Sequence, residues 1–412
     1  MPTEVAADRR LFTPADVVAA CAGFALIGAL QALYGPAIPA LRHDYGLGPA
    51  AAGLALSAHF VGGLAGVLLF HRAFGRHGNR LLLGASYAAM AVGIVGFVLS
   101  PSWPLALVGA LVAGLGYGGV DYGLNHLFAL GFQRRGTAML NVLNGFFGVG
   151  SVLGPALLSV AGAENYAPVF AGFAVLAAVL VFALGGVGDR WQPESHVEAG
   201  TPRSGALRRS LVMVVAFVVL YVLNVGVEAG VGGWEPTHLE FAGYTAESAA
   251  LATAVFWLMM TVSRFLVVPL TLRLSEATIV AGCCAGMALC LGLAVVPALS
   301  PWAYAGVGLF IGPVFPTGLP WLYRSTPGAA GAGAHVVAAS MVGGVLFPPL
   351  LGKLIELWTP VSAPVALFGV NGLCLAVVWW IWWRTADVRR PRPGAQLVDR
   401  PKRTCGHTTD QG

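Results

Sequence analysis

The chain is predicted to be an all-α membrane protein of twelve transmembrane helices arranged as two six-helix bundles, and three observations carry that expectation. Twelve apolar runs are each long enough to cross a hydrocarbon core of about 30 Å as a helix. Hydrophobic residues make up 57% of the 412 positions and charged residues only 10%, with a mean hydropathy of +0.77, too little polar surface for a soluble protein of this length. One polar stretch, Asp189 to Arg209, divides the runs six and six.

In order, the runs predict helices at about 17–41, 50–71, 80–99, 104–131, 137–161 and 168–187, then 211–234, 248–270, 277–298, 302–322, 330–357 and 361–383. The corresponding division is a tail at 1–16, an N-terminal bundle at 17–187, a central loop at 188–210, a C-terminal bundle at 211–383 and a basic, disordered tail at 384–412. Arg9, Arg10, Arg72, Arg76, Arg80, Arg134, Arg135, Arg190, Arg203, Arg208, Arg209, Arg273, Arg324 and the tail cluster share one side of this arrangement. Arg42 and Lys353 fall on the other. The positive-inside rule then places both termini in the cytoplasm. Glu235, Glu240 and Glu247 read as an acidic outer loop after the seventh helix.

The formal charge of +5 reports this topology and not nucleic-acid binding. A polar start followed by a full-length first run argues against a cleaved signal peptide. The six cysteines lack Cys-x-x-Cys spacing and read as packing residues, so no metal or cofactor is expected. Gly114, Gly116 and Gly119 match G-x-G-x-x-G literally, but they lie inside an apolar helix with no preceding strand. Close helix packing through small residues is the better account.

Polar groups inside the membrane are costly, so they mark function. Asp121 and Glu228 are the acids placed within apolar runs away from their ends. An apolar setting favours the neutral carboxyl, which suits a proton carrier. Tyr117, Asp121 and Asn125 recur at i, i+4 and i+8; Tyr221, Asn224 and Glu228 recur at i, i+3 and i+7, so each acid has an amide four residues away on its own helix face. Asn141, Asn144 and Gly148 form a further face. Amides beside aromatics such as Tyr34, Tyr117 and Trp257 suit a ligand with several hydroxyls, because amides donate and accept while rings cover its apolar side. The competing reading is that these groups only tie helices together. Pro313, Pro316 and Pro320, with Pro36 and Pro39, are candidate bending points.

The halves resemble copies: AGLALSAHFVGGLAGVLLFHRAFGR of the second helix runs parallel to ALATAVFWLMMTVSRFLVVPLTLRL of the eighth, setting His59 against Trp257 and Gly66 against Arg264. Six plus six helices with a charged central loop resemble the major facilitator superfamily. GYGGVDYGLN with Gly116, Asp121 and Asn125, LNVLNGFFGVG, the pattern Tyr221–Glu228–Trp234, Phe256-Trp257 with Arg264, and IGPVFPTG with Pro313 and Pro316 resemble the fucose permease and hexose transporter group.

The resemblance implies that the first, fourth, seventh and tenth helices line a central cavity. It also aligns Asn144 with a substrate-contacting glutamine. The superfamily's cytoplasmic signature appears as Gly75-Arg76-His77-Gly78-Asn79-Arg80 without its acid, which makes Arg76 and Arg80 candidate gate residues and any latch weak or relocated. Arg264, near the end of its run, is a third gate candidate through an ion pair to a neighbouring helix.

Fucose permease carries an Asn-Asp pair in its first helix where this chain has Tyr34 and Gly35, so one coupling acid of that group is missing. Either Glu228 substitutes, or Asp121 works alone, or another ion such as sodium replaces the proton.

The expected activity is alternating-access transport of a sugar or similar small polar metabolite across the cytoplasmic membrane by a proton-coupled, lipid-embedded monomer. No enzymatic activity is expected. The alternatives are a proton-antiport exporter of a drug or hydrophobic metabolite, for which Gly150, Gly154 and Pro155 supply half of an antiporter signature, and a non-transporting receptor.

Overall fold

The computed structural model describes residues 11–132, 136–183, 187–188, 204–326 and 332–386. The expectations for the N-terminal tail, most of the central loop, the basic tail and Arg134, Arg135, Arg190 and Arg203 fall outside them.

Six helices form the first half: α1 (Pro14–Tyr45), α2 (Pro49–Ala73), α3 (Asn79–Val98), α4 (Trp103–Gly131), α5 (Gly136–Ala161) and α6 (Tyr166–Ala183). The second half contains α7 (Ser204–Phe241), α8 (Ala246–Leu266) with a short continuation α9 (Val268–Thr271), α10 (Glu276–Leu293), α11 (Ser300–Ile311), α12 (Val314–Ser325), α13 (Ala332–Leu357) and α14 (Ser362–Ala386). Among the described residues twelve spans are long and apolar enough to cross a membrane, α8 with α9 counting as one and α11 with α12 as another. An even number of crossings puts both ends of the chain on one face, here called the terminal face.

Local chemistry sets the ends of α1. Thr13 accepts a hydrogen bond from the Asp16 amide at 3.3 Å while the Asp16 carboxylate accepts from the Thr13 amide at 2.8 Å, a reciprocal cap. Gly46 closes the helix at a φ of +62°, which a residue with a Cβ rarely adopts. Pro36 and Pro39 remain inside one continuous helix. The tenth span behaves differently, breaking at Gly312-Pro313 between α11 and α12. The Tyr221 hydroxyl donates to the Phe315 carbonyl at 3.0 Å, so a backbone group beside the break is satisfied from α7.

Two corrections concern α7. It starts at Ser204, before the predicted 211, and runs to Phe241 rather than ending at Trp234. Glu235 is therefore not in an outer loop but within the helix and 1% exposed. An acid near the end of an apolar run reads as a boundary, yet nearly two more helical turns, including the buried Thr237 and His238, follow it in α7.

Within the first half, small residues let backbones approach. A Cβ on Gly150 would strike the carbonyl of Ala25, and one on Gly118 that of Gly63, seating α5 on α1 and α4 on α2.

The two halves meet on the side remote from the termini. Ser57 donates to the Val345 carbonyl at 2.6 Å, the Ala50 amide donates to Glu356 at 3.0 Å, and Ser159 donates to the Glu247 carbonyl at 2.8 Å. Deeper in, Gly35 of α1 lies against the backbone of Gly232 on α7. The contacts that join the halves run from the remote side as far as Phe60 on Gly344 and Thr261 on Gly148. The halves are thus joined on the remote side, and the seam between their terminal-face ends is here called the cleft.

On the terminal face each half is tied to itself. Arg80 donates to the Val187 carbonyl at 2.9 Å and Asn79 to that of Gly188 at 2.8 Å, holding the exit of the first half. Arg324 pairs with Glu276 across the second.

Gly150→Val should destabilise the protein by about 1–3 kcal/mol, the range for overpacking a tight contact. The measurement is thermal unfolding of the purified protein in detergent, and an unchanged melting temperature would contradict the α1–α5 contact. A Ser57→Cys/Val345→Cys pair should form a disulfide that arrests transport reversibly, with activity returning on reduction.

Candidate functional site

Two hydrogen-bonded chains of side chains reach the cleft at mid-membrane. On α4, the Asp121 carboxylate accepts from Asn125 Nδ2 at 3.0 Å, and Asn125 Oδ1 accepts from Asn144 Nδ2 of α5 at 3.1 Å. Asn144 also donates to the Leu140 carbonyl of its own helix at 2.9 Å, which orients its amide. All three side chains are half-buried. The helical spacing expected for Asp121 and Asn125 is realised as a direct bond, and α5 adds the third member.

The second chain links three helices. The Tyr117 hydroxyl donates to Gln31 Oε1 at 2.6 Å, and Gln31 Nε2 reaches Glu228 Oε1 at 3.5 Å. Tyr117 shares a face of α4 with Asp121 one turn away, which joins the two chains into one site. Glu228 is thirteen residues from the end of α7 at Phe241, about 20 Å along the helix. Asp121 is ten residues from the end of α4 at Gly131, about 15 Å from the terminal-face side.

Several expected site residues sit elsewhere. Tyr34 is 1% exposed inside the first half, its hydroxyl 3.4 Å from His59 Nδ1 and its ring packed on Phe97 and Phe170. It does not reach the cleft, because its position on α1 turns it toward α2, α3 and α6. Asn224 is 2% exposed, its Oδ1 has no partner, and it does not bond Glu228. The amide beside that acid comes from Gln31 on α1 instead. Asn141 is exposed one turn nearer the terminal face than Asn144 and makes no side-chain hydrogen bond to a described residue. Trp257 is buried over Gly232 with its indole N–H unpartnered, adjoining the α7 stripe that carries Glu228.

The gate candidates also redistribute. Arg80 bonds within its own half, Arg76 is exposed in the turn after α2, and neither bonds a described residue of the other half. Pro313 caps α12 at the break and Pro316 lies in its first turn. Arg264 lies near the terminal end of its span, which runs to Thr271, and its guanidinium lies in the interior within electrostatic reach of Glu228.

Sequence reasoning missed Gln31. The available signal was a lone amide inside the apolar run of α1, one turn before Gly35. Among the described residues no cluster of three or more His, Cys, Asp or Glu is arranged to hold a metal ion.

Gln31→Ala removes both bonds at once. Losing a polar contact of about 1–1.5 kcal/mol corresponds to roughly tenfold in affinity or transport rate. Substrate uptake should fall by at least that order and thermal stability by about 1–3 kcal/mol as Tyr117 and Glu228 lose their partner, and an unaffected uptake would remove Gln31 from the site.

Solved structures with the same architecture include the nucleoside transporter NupG (TM-score 0.74, 15% identity, covering 89% of this chain and 99% of that one). The D-xylose-proton symporter aligns at a TM-score of 0.71 with 15% identity over 89% of this chain and 97% of its own. A peptide transporter of the POT type bound to sulfate aligns at 0.73 with 14% identity, over 90% and 94%. No curated protein matches the sequence. The sequence profile of the Major Facilitator Superfamily matches residues 20–337, more than half of the chain. The chain therefore belongs to the Major Facilitator Superfamily and is a multi-pass membrane transporter, not an enzyme.

Proposed function

We propose that the protein is a secondary active transporter that moves a sugar or similarly small polar metabolite across the cytoplasmic membrane, coupled to protons, with both termini inside and the cleft facing the cytoplasm. The observation that carries this reading is the meeting of Asp121–Asn125–Asn144 with Tyr117–Gln31–Glu228 at mid-membrane. Amides and a phenol at the wall of a water-accessible cleft match the donor and acceptor pattern of a polyol. The resemblance to the fucose permease group and the architecture shared with a D-xylose-proton symporter point the same way.

Coupling follows from charge. A carboxylate that crosses from one aqueous side to the other inside an apolar wall moves more cheaply when protonated. In this reading Asp121 is the principal proton carrier, Asn125 and Asn144 orient it and contact substrate, and Glu228 stands in for the acid absent from α1. Protons are the coupling ion, with sodium as the alternative, and the transporter acts as a monomer. Pro313 and Pro316 serve as the flexible point of the tenth span. The exporter reading loses its support in α5, because Gly150 and Gly154 are accounted for by their contacts with Ala25 and Ala29 of α1.

Asp121→Asn keeps the size of a protonated aspartic acid but cannot release a proton, so it should abolish gradient-driven accumulation while leaving substrate exchange measurable. Glu228→Gln should be equally damaging if Glu228 has replaced the missing acid. Parallel measurement of proton and substrate flux in proteoliposomes checks both; accumulation at wild-type rates by a well-folded Asp121→Asn variant would exclude Asp121 as the carrier.

A further inference from the structure

Arg264 is the group in the cleft that a neutral polyol leaves unexplained. It lies on the face of α8 that carries Trp257 and Thr261 toward α7 and α5, where Trp257 covers Gly232 and Thr261 meets Gly148. Its Nε is sealed from solvent and has no hydrogen-bond partner. No carboxylate of a described residue lies within 4.0 Å of it, although Glu228 acts on it electrostatically. The residue as a whole is half-buried, and among the described residues its guanidinium makes no hydrogen bond.

An interior guanidinium without hydrogen bonds is costly, and its planar fork fits two oxygens of one anion better than any other partner. We infer that the substrate carries an anionic oxygen group, a carboxylate or a phosphate, which Arg264 binds. The inference rests on the reading of the cleft as the substrate site and narrows its chemical class from a polyol to an acidic polyol.

Binding of an anion has a consequence for Glu228. Two negative groups cannot share one guanidinium at mid-membrane without a third charge, so the anion binds when Glu228 is protonated and leaves Arg264 free. The charged and titratable groups facing this pair are Asp121 and Tyr117 from α4, with His59 of α2 behind the Tyr117 ring; α1 contributes the neutral Gln31 and α5 the neutral Asn144. None of these supplies a second cation. Anion affinity should accordingly rise as pH falls.

The test uses the purified full-length protein in proteoliposomes with an imposed proton gradient and three radiolabelled probes: D-glucose, D-gluconate and D-glucose phosphate. The expected result is saturable uptake of one of the two anions above that of D-glucose, and which anion is preferred distinguishes carboxylate from phosphate. Arg264→Gln should lower that uptake at least about tenfold, the order expected for losing a charge-assisted pair. Where Arg264→Gln fails to fold, Arg264→Lys keeps the charge without the fork and should still lose preference for the anion over D-glucose. Glu228→Gln should still bind the anion in equilibrium exchange, with an affinity that falls less with rising pH than that of wild type. Proton-driven uptake of D-glucose, with neither anion transported nor inhibitory, overturns the inference and leaves the sugar reading intact. Equal anion uptake by wild type and a folded Arg264→Gln variant overturns it as well, and no saturable uptake of any probe sinks both readings.

Discussion

The architecture of the site depends on one backbone contact, the approach of Gly35 on α1 to Gly232 on α7. A Cβ at Gly35 would strike the Gly232 carbonyl, so the two helices touch there with no side chain between them. Gln31, one turn along α1, is thereby brought within reach of Glu228, one turn along α7. The same contact leaves no room for any side chain at Gly35, a carboxylate included. The carboxylate near this seam comes from α7 and the amide bonded to it from α1.

Burial then makes the polar groups interdependent. Each amide in the cleft serves two neighbours, Gln31 between Tyr117 and Glu228, and Asn125 between Asp121 and Asn144. An amide can do this because it donates and accepts at once, which a hydroxyl or carboxylate at mid-membrane does less readily. Removing any member leaves a partner desolvated and unpaired, a larger penalty than the value of the bond itself. A proton added to Asp121 or Glu228 therefore changes more than one contact, which is how a local charge event acquires leverage over the position of α1, α4, α5 and α7 together.

Much of this was legible in the sequence, and the failures have physical causes. Apolar run length fixes twelve spans because lipid leaves the backbone no other solution. Asp121, Asn125 and Asn144 stand out in the sequence because a polar group at mid-run is conspicuous and the first two are one turn apart. The same rule places Asn224 beside Glu228, since i and i+4 neighbours share a face, but the amide that bonds Glu228 comes from α1, 197 residues away. Gln31 has no acid or amide near it in its own helix to draw attention. Tyr34 shows the limit of composition, since a tyrosine satisfied by a histidine inside one bundle reads like a cavity aromatic. Arg264 sits six residues before the end of its predicted run at 270, and the span ends at Thr271, so its sequence position near the terminal end matches the structure while its proximity to Glu228 is a tertiary feature.

The closed side is held lightly, and that fits an alternating mechanism. Ser57, the Ala50 amide and Ser159 make the hydrogen bonds between described residues that join the halves there, and two of the three acceptors are backbone carbonyls. At a net 0.5–1.5 kcal/mol each they sum to roughly a few kcal/mol, the scale on which a binding or protonation event can invert a two-state population. The terminal face lacks the superfamily's acidic latch at Gly75–Arg80, and Arg80 is engaged with the exit of its own half. Among the described residues the hydrogen bonds between the halves lie on the remote side and at mid-membrane, so the structure joins the halves there. Parting Gly35 from Gly232 separates α1 from α7 and with them Gln31 from Glu228, so a side-chain bond across this glycine seam is one that a change of charge at Glu228 alters.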